Sequence, residues 1–478
     1  MKCRAIRSLI TIAIAMSASL ASLAATLPPQ AGTDEAVRKE AREIFASIIA
    51  MQTSIGKGQV PAMAEYLAER FRLAGFPQAD IHILPVGETA SLIVRYRGNG
   101  KGGKPIAFMG HMDVVTANRE DWVRDPYTLT EENGYFFGRG AQDMKGDIAM
   151  LTETFLHLKR QGYVPSRDLL IAFSGDEETS QISTEDMVKN HRDLMNAEFA
   201  LNGDGGGGTI SDETGKPLFY NVQGAEKSSV TYELTATNPG GHSSRPRLDN
   251  AIYDIADAIS AIRHYSFPVK WNEWTIGNFK MVGTVTTGSL GSAMLTFAAH
   301  PDDAAAATEI AKEPAFIGLT RTTCVATMLR AGHAVNALPQ SAVASVNCRI
   351  FPGTRAEEVK QTLQQLAGKN VSVAFVDEPI VSNASAMRPD VMRAVAHAIN
   401  STRPGTIVAP DMAAYATDGA VFRNYGIPTY GTSALFMKHS DEFAHGLNER
   451  ISVDTFYAGL THWDILIRDL AGPQHTQH

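Results

Sequence analysis

Cysteine is scarce in this 478-residue chain: it occurs at positions 3, 324 and 348 only. That excludes a fold stapled by several disulfides and allows at most one bridge once Cys3 is set aside. Long apolar runs are also missing. Beyond the N-terminus nothing approaches the roughly 20 residues that cross a bilayer. Positive charge is not in excess. The formal net charge is −8, and no basic run interrupts the sequence, which argues against a nucleic-acid surface. No internal repeat or low-complexity tract is found. What remains is ordinary globular material, 44% hydrophobic and 20% charged, long enough for two domains.

Residues 1–25 read as a processing signal. Lys2, Arg4 and Arg7 form a basic start, Leu9 to Leu20 is apolar and small, and Ser22-Leu23-Ala24 suits cleavage. Arg4 and Arg7 are not adjacent, so the pattern is of the general-secretion kind. No cysteine follows, so no lipid anchor is expected there. Losing those three cations takes the net charge from −8 to about −11. The expected location is the periplasm or the outside of the cell. In that oxidising setting Cys324 and Cys348, on two strands flanking a turn near Asn336, form either a bridge or two separate buried thiols.

Periodicity predicts helices over 34–50 and 60–75, then strands at 81–84, 91–97 and 106–109. Asn133-Gly134 marks a hairpin. A helix over 147–161, a strand at 169–173, a helix over 184–190 capped by Ser183 and Asp186, and a strand at 197–201 continue the alternation. This predicts an α/β layer, a mostly parallel sheet with helices on both faces. The texture changes near 223. Strands at 228–237, 326–329, 342–350 and 371–376, with helices over 250–262 and 357–366, make a smaller α+β domain with an antiparallel sheet. Residues 268–320 fit no pattern and are read as an insertion within it. Helices over 387–399 and 453–470 resume the first texture. The expected organisation is a discontinuous first domain, 26–222 and 384–478, carrying an inserted domain at 223–383.

Acidic and histidine residues gather at predicted strand ends. His111 and Asp113 follow the strand 106–109 after a turn at Gly110, and Asp143 precedes a helix. Asp176-Glu177-Glu178 follow 169–173, Asp204 follows 197–201, and His445 follows the last strand. Loops at the carboxyl ends of parallel strands converge on one edge, where sites form. Two histidines with several carboxylates make a hard nitrogen and oxygen donor set, suited to zinc, manganese or cobalt. Five good donors exceed the three that one catalytic metal needs, which points to two metals about 3.5–4 Å apart sharing one aspartate. With two adjacent glutamates, one can bind metal while the other takes a proton from water.

The segments GHMDVV, GRGAQDMKG, SGDEE, GGHSSRP and AHGLNE, in this order over nearly all of the chain after the signal, resemble the zinc-dependent exopeptidase and amidohydrolase family. Its members include carboxypeptidase G, carboxypeptidase S, aminoacylase and succinyl-diaminopimelate desuccinylase. The resemblance implies two zinc ions, with cobalt or manganese as substitutes, and an inserted lid that often serves for homodimerisation. His111, Asp143, Glu178, Asp204 and His445 would be the metal ligands, with Asp143 bridging. Asp113 would orient His111, and Glu177 would be the general base. His242 resembles the lid histidine that donates to an oxyanion, across a dimer in some members. Asn336 and Arg349 lie where the family contacts the substrate's carbonyl and carboxylate. The implied activity is hydrolysis of amide bonds in short peptides, by a carboxypeptidase or dipeptidase. An N-acyl-amino-acid hydrolase is the second reading and a non-catalytic metal or peptide binder a distant third, which the retention of Glu177 opposes. The chain departs from the family after Glu178, where Thr-Ser-Gln-Ile-Ser-Thr replaces the usual glycines.

Overall fold

The computed structural model describes residues 31–472. The signal read in residues 1–25 lies outside them. A ten-stranded sheet forms the centre of the larger domain. Its middle strands, Leu169–Ser174, Ile106–His111, Phe199–Asn202 and Thr429–Gly431, run parallel in that spatial order. Thr89–Tyr96 and Ile81–Val86 extend one side antiparallel. Buried parallel strands are expected to be apolar throughout, and all six residues of Ile106–His111 and of Leu169–Ser174 are buried. The helices Glu35–Ile49, Lys145–Arg160, Pro389–Thr402 and Val453–Ala471 contribute Ile44, Phe45, Leu151, Val395 and Trp463 to one continuous core. The other face is covered more thinly, by Met187, Val188, Val421 and Phe422.

The predicted turn at Gly110 is corrected. The strand runs on through Gly110 and His111, because His111 still pairs with Ser174. Gly110 serves a close approach instead: a Cβ there would lie 2.6 Å from Met144 Cε. A second correction concerns the helix after Glu178, which spans Ile182–Asn190. Neither Ser183 nor Asp186 caps it. The Asp176 carboxylate accepts from the backbone of Ile182 (2.8 Å) and Ser183 (3.0 Å), so the cap comes from the preceding loop. The hairpin at Asn133-Gly134 is present, with φ of 51° and 79° at its two central residues.

The chain leaves the large sheet at Glu226, the end of Pro217–Glu226, and enters a four-stranded antiparallel sheet at Ser228. There Thr323–Ala331, Ser341–Ile350, Ser228–Thr237 and Val371–Phe375 lie side by side. Alternation puts Val230, Tyr232, Leu234, Val346 and Cys348 into a second core, under the helices Ala251–His264 and Ala356–Ala367. Cys324 and Cys348 stand opposite in register and are joined by a disulfide. The closed loop has a separation of 24 residues, which corresponds to about 3 kcal/mol of denatured-state entropy. Reduction should therefore lower the urea midpoint of the folded protein measurably, and an unchanged midpoint in excess reductant would contradict this.

Residues 268–320 are not a patternless excursion of the small domain. They form the helices Glu273–Val282, Gly288–Ala299, Ala304–Ile310 and Pro314–Ile317, and their apolar residues Trp274, Phe279, Met294 and Phe297 join the core of the large domain. The anchor is Trp274. Its ring occupies the space beside Gly224, where a Cβ would come within 1.8 Å, and its Nε1 donates to Ser385 O at 2.7 Å. Short helices with modest amphipathicity, seated against another segment, leave little periodic trace in a sequence.

Candidate metal centre

His111 ends its strand fully buried, with its ring between three aspartates. Nδ1 lies 3.0 Å from the carbonyl oxygen of Asp113 and 3.4 Å from its carboxylate. Nε2 lies 2.8 Å from Asp143 Oδ1 and 3.8 Å from Asp204 Oδ1. An imidazole that donates Nδ1–H backwards and presents Nε2 forwards is the usual form of a metal-binding histidine. The Asp113 carboxylate also accepts from the backbone of Glu177 (3.1 Å) and Glu178 (3.0 Å). One residue thus sets the ring and the turn that carries both glutamates.

Asp143 lies between the two histidines. Its Oδ2 is 3.0 Å from His445 Nε2, and that nitrogen is 2.9 Å from Glu178 Oε1. Asp143 is held by a residue to which the sequence reading assigned no role. Glu449 accepts from the backbone of Gly140, Gln142 and Asp143 and pairs with Arg139 at 2.6 Å, with both side chains buried. Arg139 in turn donates to the carbonyls of His445 (3.2 Å) and Gly446 (3.0 Å). Arg139 and Glu449 therefore tie the Asp143 loop to the His445 loop. Both lie inside quoted motifs, but a motif does not show which of its charges face each other.

Asp204 follows the strand Phe199–Asn202, and its N–H donates to Asn202 Oδ1 at 3.0 Å. The glycines after it have a packing reason. A Cβ on Gly205 would meet Gln223 Oε1 at 2.2 Å, and one on Gly208 would enter the Phe436 ring at 2.1 Å. Asp418, also missed in the sequence, accepts from Ser174 Oγ and from Thr184 Oγ1 (2.8 Å) behind the metal loops. Lys145 is buried and donates to the carbonyls of Ile48 (2.9 Å) and Met51 (2.7 Å), a structural tie.

The three residues of the small domain divide. Arg349 lines the cleft with Glu177 and Glu178. Burial lowers its pKa, and among the described residues no carboxylate pairs with it. His242 sits on a two-stranded ribbon, Gly241–His242 against Ala337–Leu338, with Asn336 in the turn just before the second strand, and both are exposed. His242 Nδ1 is 2.8 Å from Ser244 Oγ. Neither lines the cleft that Arg349 shares with Glu177 and Glu178.

The electrostatics favour cations. Burial pushes Asp204 up to about 7 and raises Glu177 well above the carboxylate range, with neighbouring carboxylates adding to both. Burial opposes a charged His111, yet Asp204, Asp113 and Asp143 outweigh it and raise the ring. Hydrogen bonds that its ring donates to Asp143 and Glu178 lift His445 to about 10. Burial also opposes the charge on Asp143, but the two histidines overcome it and lower its pKa. Divalent ions would supply the positive charge that these crowded carboxylates call for. Two donor groups converge within 4.8 Å, His111–Asp143–Glu178 and His111–Glu177–Asp204. His445 adds a donor to the first through its contacts with Asp143 and Glu178. This nitrogen and oxygen set fits a pair of hard or borderline divalent metals.

The fold and this donor set define a metal-dependent hydrolase. Residues 107–469 match the model of peptidase family M20/M25/M40, and the chain belongs to that family. A probable carboxypeptidase S-like 2 of Dictyostelium discoideum is 26% identical over 385 residues, 77% of this chain and 72% of that one. The human N-fatty-acyl-amino acid synthase/hydrolase PM20D1 is 26% identical over 450 residues, covering 91% and 88%. A probable succinyl-diaminopimelate desuccinylase of Staphylococcus aureus is 26% identical over 439 residues, covering 87% and 98%. Among solved structures, the M20 family metallo-carboxypeptidase Sso-CP2 from Sulfolobus solfataricus superposes with a TM-score of 0.70 at 20% identity, covering 90% of this chain and 99% of that one. It shares the fold. The resemblance read from the motifs is thus borne out at the level of family and fold.

Proposed function

We propose that the protein is an exported di-zinc carboxypeptidase or dipeptidase that releases amino acids from short peptides. The observation that carries this reading is one cleft of about 670 Å³ lined by both Glu177 and the unpaired Arg349. His111, Asp143 and Asp204 would hold one metal, and Asp143, Glu178 and His445 the other. When bound, the metals would acidify a water and polarise the scissile carbonyl. Glu177, on the turn held by Asp113, takes a proton from the attacking water and returns it to the leaving nitrogen. Arg349 receives the terminal carboxylate through paired N–H donors. His242 would add an oxyanion donor from a second chain. The exposed edge strand Thr323–Ala331, with Val325, Met328 and Leu329 59–63% exposed, supports a homodimer through the small domain. The disulfide and the basic, then apolar N-terminus support export. No helix of the described residues is long and apolar enough to cross a membrane.

A second reading, hydrolysis of N-acyl amino acids, is favoured by the human relative, which matches over most of both chains. Incubation of the zinc-loaded protein with mixed dipeptides, tripeptides and N-acyl amino acids, with products identified by mass, separates the two. Free amino acids released from the peptides are expected. Products from the N-acyl compounds alone would replace the first reading by the second.

A further inference from the structure

Tyr415 is an exposed aromatic tethered to a buried amide. It stands between the strand Ile407–Ala413 and the helix Gly419–Asn424, and 47% of its surface is exposed. Its hydroxyl nevertheless turns inward and donates to Gln223 Oε1 at 3.3 Å. Gln223 is buried and firmly seated. Its Nε2 donates to Glu226 Oε2 at 2.8 Å, and Glu226 pairs with Arg423 at 2.5 Å, with both charged side chains buried. Gln223 Oε1, the atom that receives Tyr415, lies against Gly205, where a Cβ would come within 2.2 Å of it. Gly205 follows Asp204, so the phenol is brought to the Asp204 side of the metal cluster. A second chain of bonds ties the same loop to Asp204. Thr417 Oγ1 donates to Glu226 Oε2 at 2.8 Å and accepts from Asn202 Nδ2 at 3.2 Å, and Asn202 Oδ1 accepts from Asp204 N at 3.0 Å.

Burial raises the pKa of the phenol, and so do, in order, the charges of Asp204, Asp411, Glu226 and Asp143. Two of those four are donors of the metal cluster, which sets the hydroxyl end beside the cluster and not out in solvent. Ala416 and Thr417, the next two residues, line the cleft with Glu177 and Glu178. At 3.3 Å the bond to Gln223 is longer than the about 2.5–3.0 Å usual for O–H···O, so the one phenol hydrogen is loosely engaged. Resting on the amide-hydrolysis reading above, we infer that Tyr415 is a further catalytic residue, whose O–H turns from Gln223 to the carbonyl oxygen of the scissile amide as that oxygen gains negative charge. The phenol keeps its proton throughout. A bond to a charged oxygen is about twice as strong as one to a neutral amide, so the gain falls on the transition state and not on the bound substrate. Tyr415 belongs to the chain that supplies the metal ligands, whereas His242 stands on an exposed ribbon outside the cleft lining.

The test compares the zinc-loaded full chain with Tyr415→Phe, which keeps the ring and removes only the hydroxyl. The substrates are Ala-Phe and acetyl-Phe. The third probe is the phosphinic analogue of whichever is cleaved, whose tetrahedral anion stands in for the attacked carbonyl. The variant should lose about 10- to 100-fold in kcat with KM within about twofold of the parent. It should bind the phosphinic analogue more weakly by a similar factor and hold the same amount of metal. A kcat within about twofold of the parent, a loss confined to KM, unchanged binding of the phosphinic analogue, or a rate lost together with metal overturns the inference and leaves the hydrolase reading standing. Cleavage of neither compound by the parent protein overturns both.

Discussion

Glu177→Gln should lower kcat by about 10²–10⁴-fold while the protein keeps its metal. The substitution preserves size and removes the proton acceptor. The loop should hold its course, because the Glu177 backbone N–H is fixed by the Asp113 carboxylate and does not depend on the Glu177 side chain. Metal content is the informative second readout. Glu177 lies with His111 and Asp204 in one of the two convergent donor groups, so its position also suits a ligand. If it were a ligand, Gln would lower metal occupancy along with rate. Intact occupancy with lost turnover assigns the proton-transfer role, and a fully active variant would remove Glu177 from the mechanism.

The second large effect is expected at Glu449, which is not among the metal donors. Glu449→Ala leaves Arg139 buried without its counter-ion and strips three backbone N–H groups of their acceptor. Breaking a buried pair from one side typically costs about 3–5 kcal/mol. Arg139→Ala should cost a similar amount, for the mirror-image reason. The double variant should cost clearly less than the two together, because no orphaned charge remains. Urea unfolding of the three variants measures this. Additive losses, or single losses below about 1 kcal/mol, would show that the pair is not the clamp inferred from its geometry. Metal affinity should fall in all three, since the same pair anchors the Asp143 and His445 loops to each other.

Much of the site was legible because strand ends are legible. An apolar run such as Leu169–Ser174 that stops at an acidic triplet declares a loop at a sheet edge, and His111, Asp113 and Asp204 follow the same rule. Gly110 was misread because a glycine after an apolar run usually means a turn, whereas here it makes room for Met144. The cap on Ile182–Asn190 was misread because Asp176 reaches it from a loop, and the local pattern of Ser183 and Asp186 carries no record of that. The helices of 268–320 escaped because each is short and their apolar residues answer to Gly224 and the large core.

His111, Asp143, Glu177, Glu178 and His445 stand out as site candidates from residue type and position along the chain, since those depend on local periodicity and motif order. Which of them touch was decided by tertiary structure alone. Asp143 and His445 meet across some 300 residues of chain, and Arg139 and Glu449 tie their two loops together. The same holds for Cys324 and Cys348, whose pairing depended on strand register. Periodicity is a local property that a sequence carries on its face. Register and loop-to-loop contact are set by the packing of distant segments, and they appear only once the chain has folded.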